Sequence, residues 1–170
     1  MNAQRDKGTL LVHLNVFEGR LLHRILGIIA ENYKVRPEDI DSQTAEAWYS
    51  ARGCRAAKMS ADETRDWLAA LHQVKQANLA RIQEWSAALA GVKPAGYSLR
   101  LDLGAAEAFM TAINDYRLMA AARHDITEAE MDFGSEREVA NLPPARRAAL
   151  MEIHLLAWLL EEILAALNGS

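Results

Sequence analysis

The chain has 170 residues, 51% of them apolar and 25% charged, with a net charge of −4, which suits one substantial core rather than two separate domains. A weakly acidic balance without any basic run beyond Arg146-Arg147 argues against a nucleic-acid footprint. The longest strongly apolar run, 155–160, stops at Glu161-Glu162, far short of the roughly 20 residues that span a bilayer. The polar start MNAQRDKG carries no export address, so a cytoplasmic location is expected. One cysteine, Cys54, cannot close an internal disulfide and is read as a reduced, buried thiol.

Residues 9–14 (TLLVHL) are β-prone. From 16 to 33 the period changes, and Phe17, Leu21, Leu22, Ile25, Leu26, Ile28, Ile29 and Tyr33 cover one half of a helix. Asn15 is the expected N-cap, Glu18 completes a capping box, and His23 is read as a solvated residue on the polar side. Pro37 ends this helix. A short helix follows at 42–52, anchored by Trp48 and stopped by Gly53.

Ser60 and Glu63 form a capping box for a long helix over 61–90. Trp67, Leu71, Val74, Asn78, Ile82, Trp85 and Leu89 make its apolar seam. A seam this narrow predicts a homodimer contact through the 61–90 helix. Breakers at 91–96 lead to a second strand at 97–103 and a helix at 105–123. Displaced by 88 residues, Leu21, Leu22, Ile25 and Ile28 fall on Phe109, Met110, Ile113 and Tyr116. The two halves therefore repeat a strand and a helix, and the strands are expected to pair as a ribbon. Thr127 and Glu130 cap a short helix; 132–142 reads as a charged loop or weak helix.

The last helix, 145–167, is apolar on two sides. Leu156, Leu159 and Ile163 belong to one arc, and Met151, Leu155 and Trp158 to another. The expectation is a mainly α fold: a single-domain helical bundle over 1–170 around this central C-terminal helix, with a small two-stranded ribbon.

Chemistry concentrates in Asn114, Asp115 and Arg117 (AINDYRL). By the 88-residue displacement Arg117 takes the place of core Ile29, and a guanidinium there needs an acceptor. Glu161, on the face of His154, is preferred over Glu162. Two readings stand: a polar clasp, or a cleft for an anionic ligand held by the planar fork of Arg117 with Asn114, His154 and Glu161. His154 and Glu161 are seven residues apart, about 10.5 Å along the axis, too far to chelate one ion. No helical metal spacing, phosphate loop or matched catalytic set occurs in the sequence. No metal or cofactor is expected, and a non-enzymatic interaction or regulatory role with a protein partner is favoured.

The stretch LRLDLGAAEAFMTAINDYRLMAAARHDI and the ending HLLAWLLEEILAAL resemble a bacterial all-helical family of unknown function common among actinobacteria. The resemblance covers about 97–167, with an echo at 10–33. It places the family's motif residues on Asn114, Asp115, Arg117, Trp158 and Glu161. It implies an accessory or interaction role, in a genomic setting near a Clp protease adaptor, and no reaction.

Overall fold

The computed structural model describes residues 1–49, 52–131 and 136–169; the side chains of 52, 53, 136 and 137 are also outside the description. Its elements are β1 (Asn2–Asp6), β2 (Thr9–Leu14), α1 (Val16–Lys34), α2 (Ser42–Tyr49), α3 (Arg52–Ala56), α4 (Ala61–Ala88), β3 (Tyr97–Asp102), α5 (Leu103–Arg123), α6 (Glu128–Met131), α7 (Glu136–Ala140) and α8 (Pro144–Asn168). The fold is mainly α with one small antiparallel sheet, and none of the described helices is long and apolar enough to cross a membrane.

The ribbon has three strands rather than two, in the order β1-β2-β3. The polar residues 2–6 gave no alternation to read, because β1 is an edge strand and nearly all exposed. It is folded back by Lys7 (φ 43) and Gly8 (φ 86), the paired positive φ angles that a two-residue hairpin turn requires.

The internal repeat is real, but its displacement is 87 residues. At that offset buried Leu10, Val12 and Leu14 fall on buried Tyr97, Leu99 and Leu101. At 88 they would fall on the outward face of β3, because side chains alternate along a strand. The N-caps correspond too: Asn15 Oδ1 accepts from Glu18 N at 2.9 Å, and Asp102 Oδ1 from Ala105 N at 2.6 Å. Across the ladder Val12 faces Leu99, its own counterpart, so β2 and β3 are related by a local twofold.

Each half then follows one plan: strand, long helix, two short helices, long helix. α4 packs on α1, and α8 packs on α5.

The corrected offset changes the place of Arg117. It corresponds to Ala30, while core Ile29 corresponds to Tyr116. Ala30 is itself buried, whereas the longer Arg117 is half-buried at the margin of the arc.

The centre of the molecule is α5 rather than α8. α5 touches α1, α2, α4 and α8 as well as β2 and β3, and it buries Phe109, Ile113, Tyr116 and Met119 on a broad arc. α8 buries Leu150, Ile153, Leu156, Leu159 and Ile163 against α5, β1 and β2, but Met151 and Trp158 are 62% and 45% exposed. The second apolar arc of the last helix is thus largely open, with Leu155 half-buried between Met151 and Trp158.

Two smaller expectations change. Gly53 does not stop a helix but lies within α3, whose following turn contains Lys58 at φ 54. His23 is not simply solvated, since its Nδ1 lies 2.8 Å from the Ser86 carbonyl and ties α1 to α4. The capping boxes at Asn15 and Ser60 form as expected, each worth about 1 kcal/mol. Cys54 is buried. Part of the expected loop at 132–142 lies outside the described residues.

Candidate functional site

Of the five side chains singled out on the sequence, His154 and Glu161 lie on α8, while Asn114, Asp115 and Arg117 divide between two faces of α5. Arg117 Nη1 donates to Asn114 Oδ1 at 3.3 Å, and Arg117 Nε is buried with no hydrogen-bond partner among the described residues. Burial lowers the Arg117 pKa, and the nearby Glu161 charge opposes that shift. Glu162 instead accepts from Trp158 Nε1 at 3.3 Å. His154 turns away to the Met131 carbonyl, 3.0 Å from its Nε2, and so links α8 to α6.

Asp115 does not join Arg117. Successive residues on a helix are separated by about 100°, so Arg117 lies about 200° round α5 from Asp115. The buried Asp115 carboxylate receives the Tyr33 hydroxyl at 2.5 Å and an ion pair from Lys75 Nζ through the same Oδ2. Trp48 Nε1 donates to the Asp115 carbonyl at 2.7 Å. The Lys75 ammonium sits 4.8 Å from the Trp48 ring centre, 5.2 Å from that of Tyr33 and 5.8 Å from that of Tyr49. An ammonium among three aromatic faces and one carboxylate is held by cation–π attraction as well as by its ion pair. Tyr33 and Trp48 meet edge to face, 5.4 Å apart.

This cage collects α1, α2, α4 and α5 around one charge. Burial, then the Asp115 charge, push the Tyr33 and Tyr49 phenols upward, Tyr49 to about 12. Every group that holds Asp115 belongs to the first half of the chain, while Asp115 belongs to the second.

Lys75 went unread because a lysine on a helix defaults to solvent. The usable signal was its spacing. Lys75 stands four residues after Leu71, four before Leu79 and seven before Ile82, inside the true seam, whereas Val74 is 59% exposed.

Other polar contacts also cross between the halves. Arg123 Nη2 reaches Asp41 at 2.6 Å and Asn32 at 3.2 Å. Glu152 takes Arg24 at 2.5 Å and the Tyr116 hydroxyl at 2.6 Å. Within the second half, Glu130 completes the expected box with Thr127 and pairs with Arg146 at 2.6 Å.

A cleft of about 1080 Å³ lies between α2 and α4, with Ala45, Leu68 and Ala69 among its apolar lining and Tyr49 and His72 at one wall. Arg117 does not line it. Tyr49 Oη and His72 Nδ1 are 3.2 Å apart. No three His, Cys, Asp or Glu side chains among the described residues come together as a metal site.

The comparisons add a family and no reaction. The family described as Domain of unknown function (DUF2017) matches residues 69–167, more than half of the chain. The protein belongs to that family. No curated protein and no solved structure matches the chain.

Proposed function

We propose that this member of the family is a non-enzymatic interaction or regulatory protein of the cytoplasm. One contrast carries the reading. The interior charges of Asp115 and Glu130 are neutralised within the chain, whereas large apolar side chains stand exposed on the two long outer helices: Trp67 and Val74 on α4, Met151 and Trp158 on α8. Catalysis wants a charged or nucleophilic group open to a substrate. Binding wants apolar anchors open to a partner.

Of the expected homodimer seam on α4 only the first half, Trp67, Leu71 and Val74, stays at the surface as an anchor for a partner, because Ile82, Trp85 and Leu89 are buried. Arg117, Asn114 and Glu161 are read as a clasp between α5 and α8. Arg117→Leu distinguishes that role from an anionic-ligand site. A clasp loses melting temperature, and a ligand site keeps it.

The interaction reading is tested inside the native host with a photo-crosslinking residue at position 67, 74, 151 or 158. Covalent adducts heavier than 18.9 kDa are expected from at least one helix. Absence of adducts from all four positions would overturn the reading.

A further inference from the structure

The geometry points to a second copy of this chain, lying antiparallel, as the partner of the outward face of α8. This inference rests on the interaction reading above and assigns its partner. Arg147, Met151, Leu155, Trp158 and Glu162 follow one another at spacings of four, four, three and four residues, a single row on one helix face. Met151 and Trp158 are among the more exposed large apolar side chains of the molecule, and Leu155 between them is half-buried.

The row is self-complementary when reversed. Arg147 and Glu162 are equidistant from the midpoint between His154 and Leu155, and so are Met151 and Trp158. Two copies of α8 packed head to tail about that midpoint set Arg147 against Glu162 of the second copy, twice by symmetry. Met151 then meets Trp158 of the second copy, also twice, and the Leu155 side chains meet at the centre. Such an isologous contact closes on itself. A parallel pair would instead set arginine against arginine and glutamate against glutamate, so the charges select the antiparallel arrangement.

The exposed row on α4 has no such property. Reversed about the centre of Trp67 to Val74, it brings Asp62, Glu63 and Asp66 opposite Leu79, Asn78 and Lys75, and Lys75 is buried and paired with Asp115. No exposed cation of the second copy stands opposite those three carboxylates, and the exposed Arg65 is taken by Asp62 of its own helix at 2.7 Å.

Sedimentation and light scattering over a concentration series of the whole protein test the inference, with circular dichroism to show that each variant is folded. The mass is expected to move from 18.9 kDa toward twice that value as concentration rises. Trp158→Glu weakens association about 100-fold or more, since it buries a charge at the seam. Arg147→Glu and Glu162→Arg each weaken it about 10-fold by turning two attractive pairs repulsive. The double exchange Arg147→Glu with Glu162→Arg restores it, and Trp67→Glu leaves it unchanged.

Loss of the dimer in Trp67→Glu but not in Trp158→Glu overturns the α8 contact in favour of α4. A strict monomer whose crosslinked adducts have another mass overturns self-pairing and leaves the interaction reading standing. A strict monomer without adducts overturns both.

Discussion

Replacing Lys75 with methionine removes the ammonium from the aromatic cage and leaves a chain of similar length among Tyr33, Trp48 and Tyr49. The side chains of Lys75 and Asp115 are each 11% exposed, so the carboxylate left behind has little water to turn to. Its remaining side-chain donor is the Tyr33 hydroxyl at 2.5 Å. Breaking a buried pair from one side costs about 3 to 5 kcal/mol. The small residual exposure and the retained phenol place the expected loss at the lower end, about 3 kcal/mol. For a chain of this size that corresponds to a fall of about 6 to 12 °C in Tm. Adding Asp115→Asn to the same chain removes the uncompensated charge and keeps an acceptor for Tyr33, so the double variant regains part of the loss. Thermal and urea unfolding of the four members of the cycle measure the coupling. A Lys75→Met protein melting within about 2 °C of the parent would refute the reasoning, and so would a double variant less stable than the single one.

Three further outcomes are expected. A Cβ added at Gly19 would lie 2.1 Å from the Tyr97 ring, whose hydroxyl is tied to the Gly91 carbonyl; Gly19→Ala therefore costs about 1 to 3 kcal/mol by overpacking, read as a lower urea midpoint. Asp41 resists a slight upward push from burial because the Arg123 hydrogen bond and those from Thr44 bring it to about 2. Its folded pKa is thus below the unfolded one, and the stability it contributes is present above about pH 4 and disappears as pH falls through 2. Asp41 is 43% exposed, so solvent screening limits this to under about 1 kcal/mol; Arg123→Ala should lower the urea midpoint at pH 6, and the deficit should shrink as pH falls through 2, leaving the lost Asn32 contact. At the alkaline end, burial, then the Glu152 hydrogen bond and charge, raise Tyr116 to about 12, and burial with the Asp115 charge raises Tyr49 to about 12. Both folded values exceed the unfolded one near 10, so stability is complete below about pH 10 and declines toward pH 12, as unfolding monitored alongside phenolate absorbance will show.

The caps, strands β2 and β3 and the long helices were legible because each rests on a local rule that the sequence states directly. Asn15 with Glu18, Ser60 with Glu63 and Thr127 with Glu130 all close as expected. Three things were not local. β1 is an exposed edge whose side chains carry no period. The repeat displacement differs by one residue from the value that best aligns Leu21 and Leu22 with Phe109 and Met110, and on a strand one residue exchanges inside for outside. The partner of Asp115 lies 40 residues earlier in the chain, and no spacing rule connects a lysine on one helix with an aspartate on another. The Asn114 to Arg117 contact, in contrast, lies within one helix turn.

The repeat also explains where the polar groups sit. Two copies of one strand-and-helix unit related by a local twofold present similar apolar surfaces to each other, and similar greasy surfaces can slide. Polar contacts cannot slide without losing their partners, which is how buried polar groups fix a register. Asp115 in the second half is gripped by Tyr33, Trp48 and Lys75 of the first; Arg123 reaches back to Asp41; Glu152 and Tyr116 hold Arg24. These ties join non-equivalent positions, for Lys75 has no cationic counterpart on α8, which carries neither lysine nor arginine after Arg147.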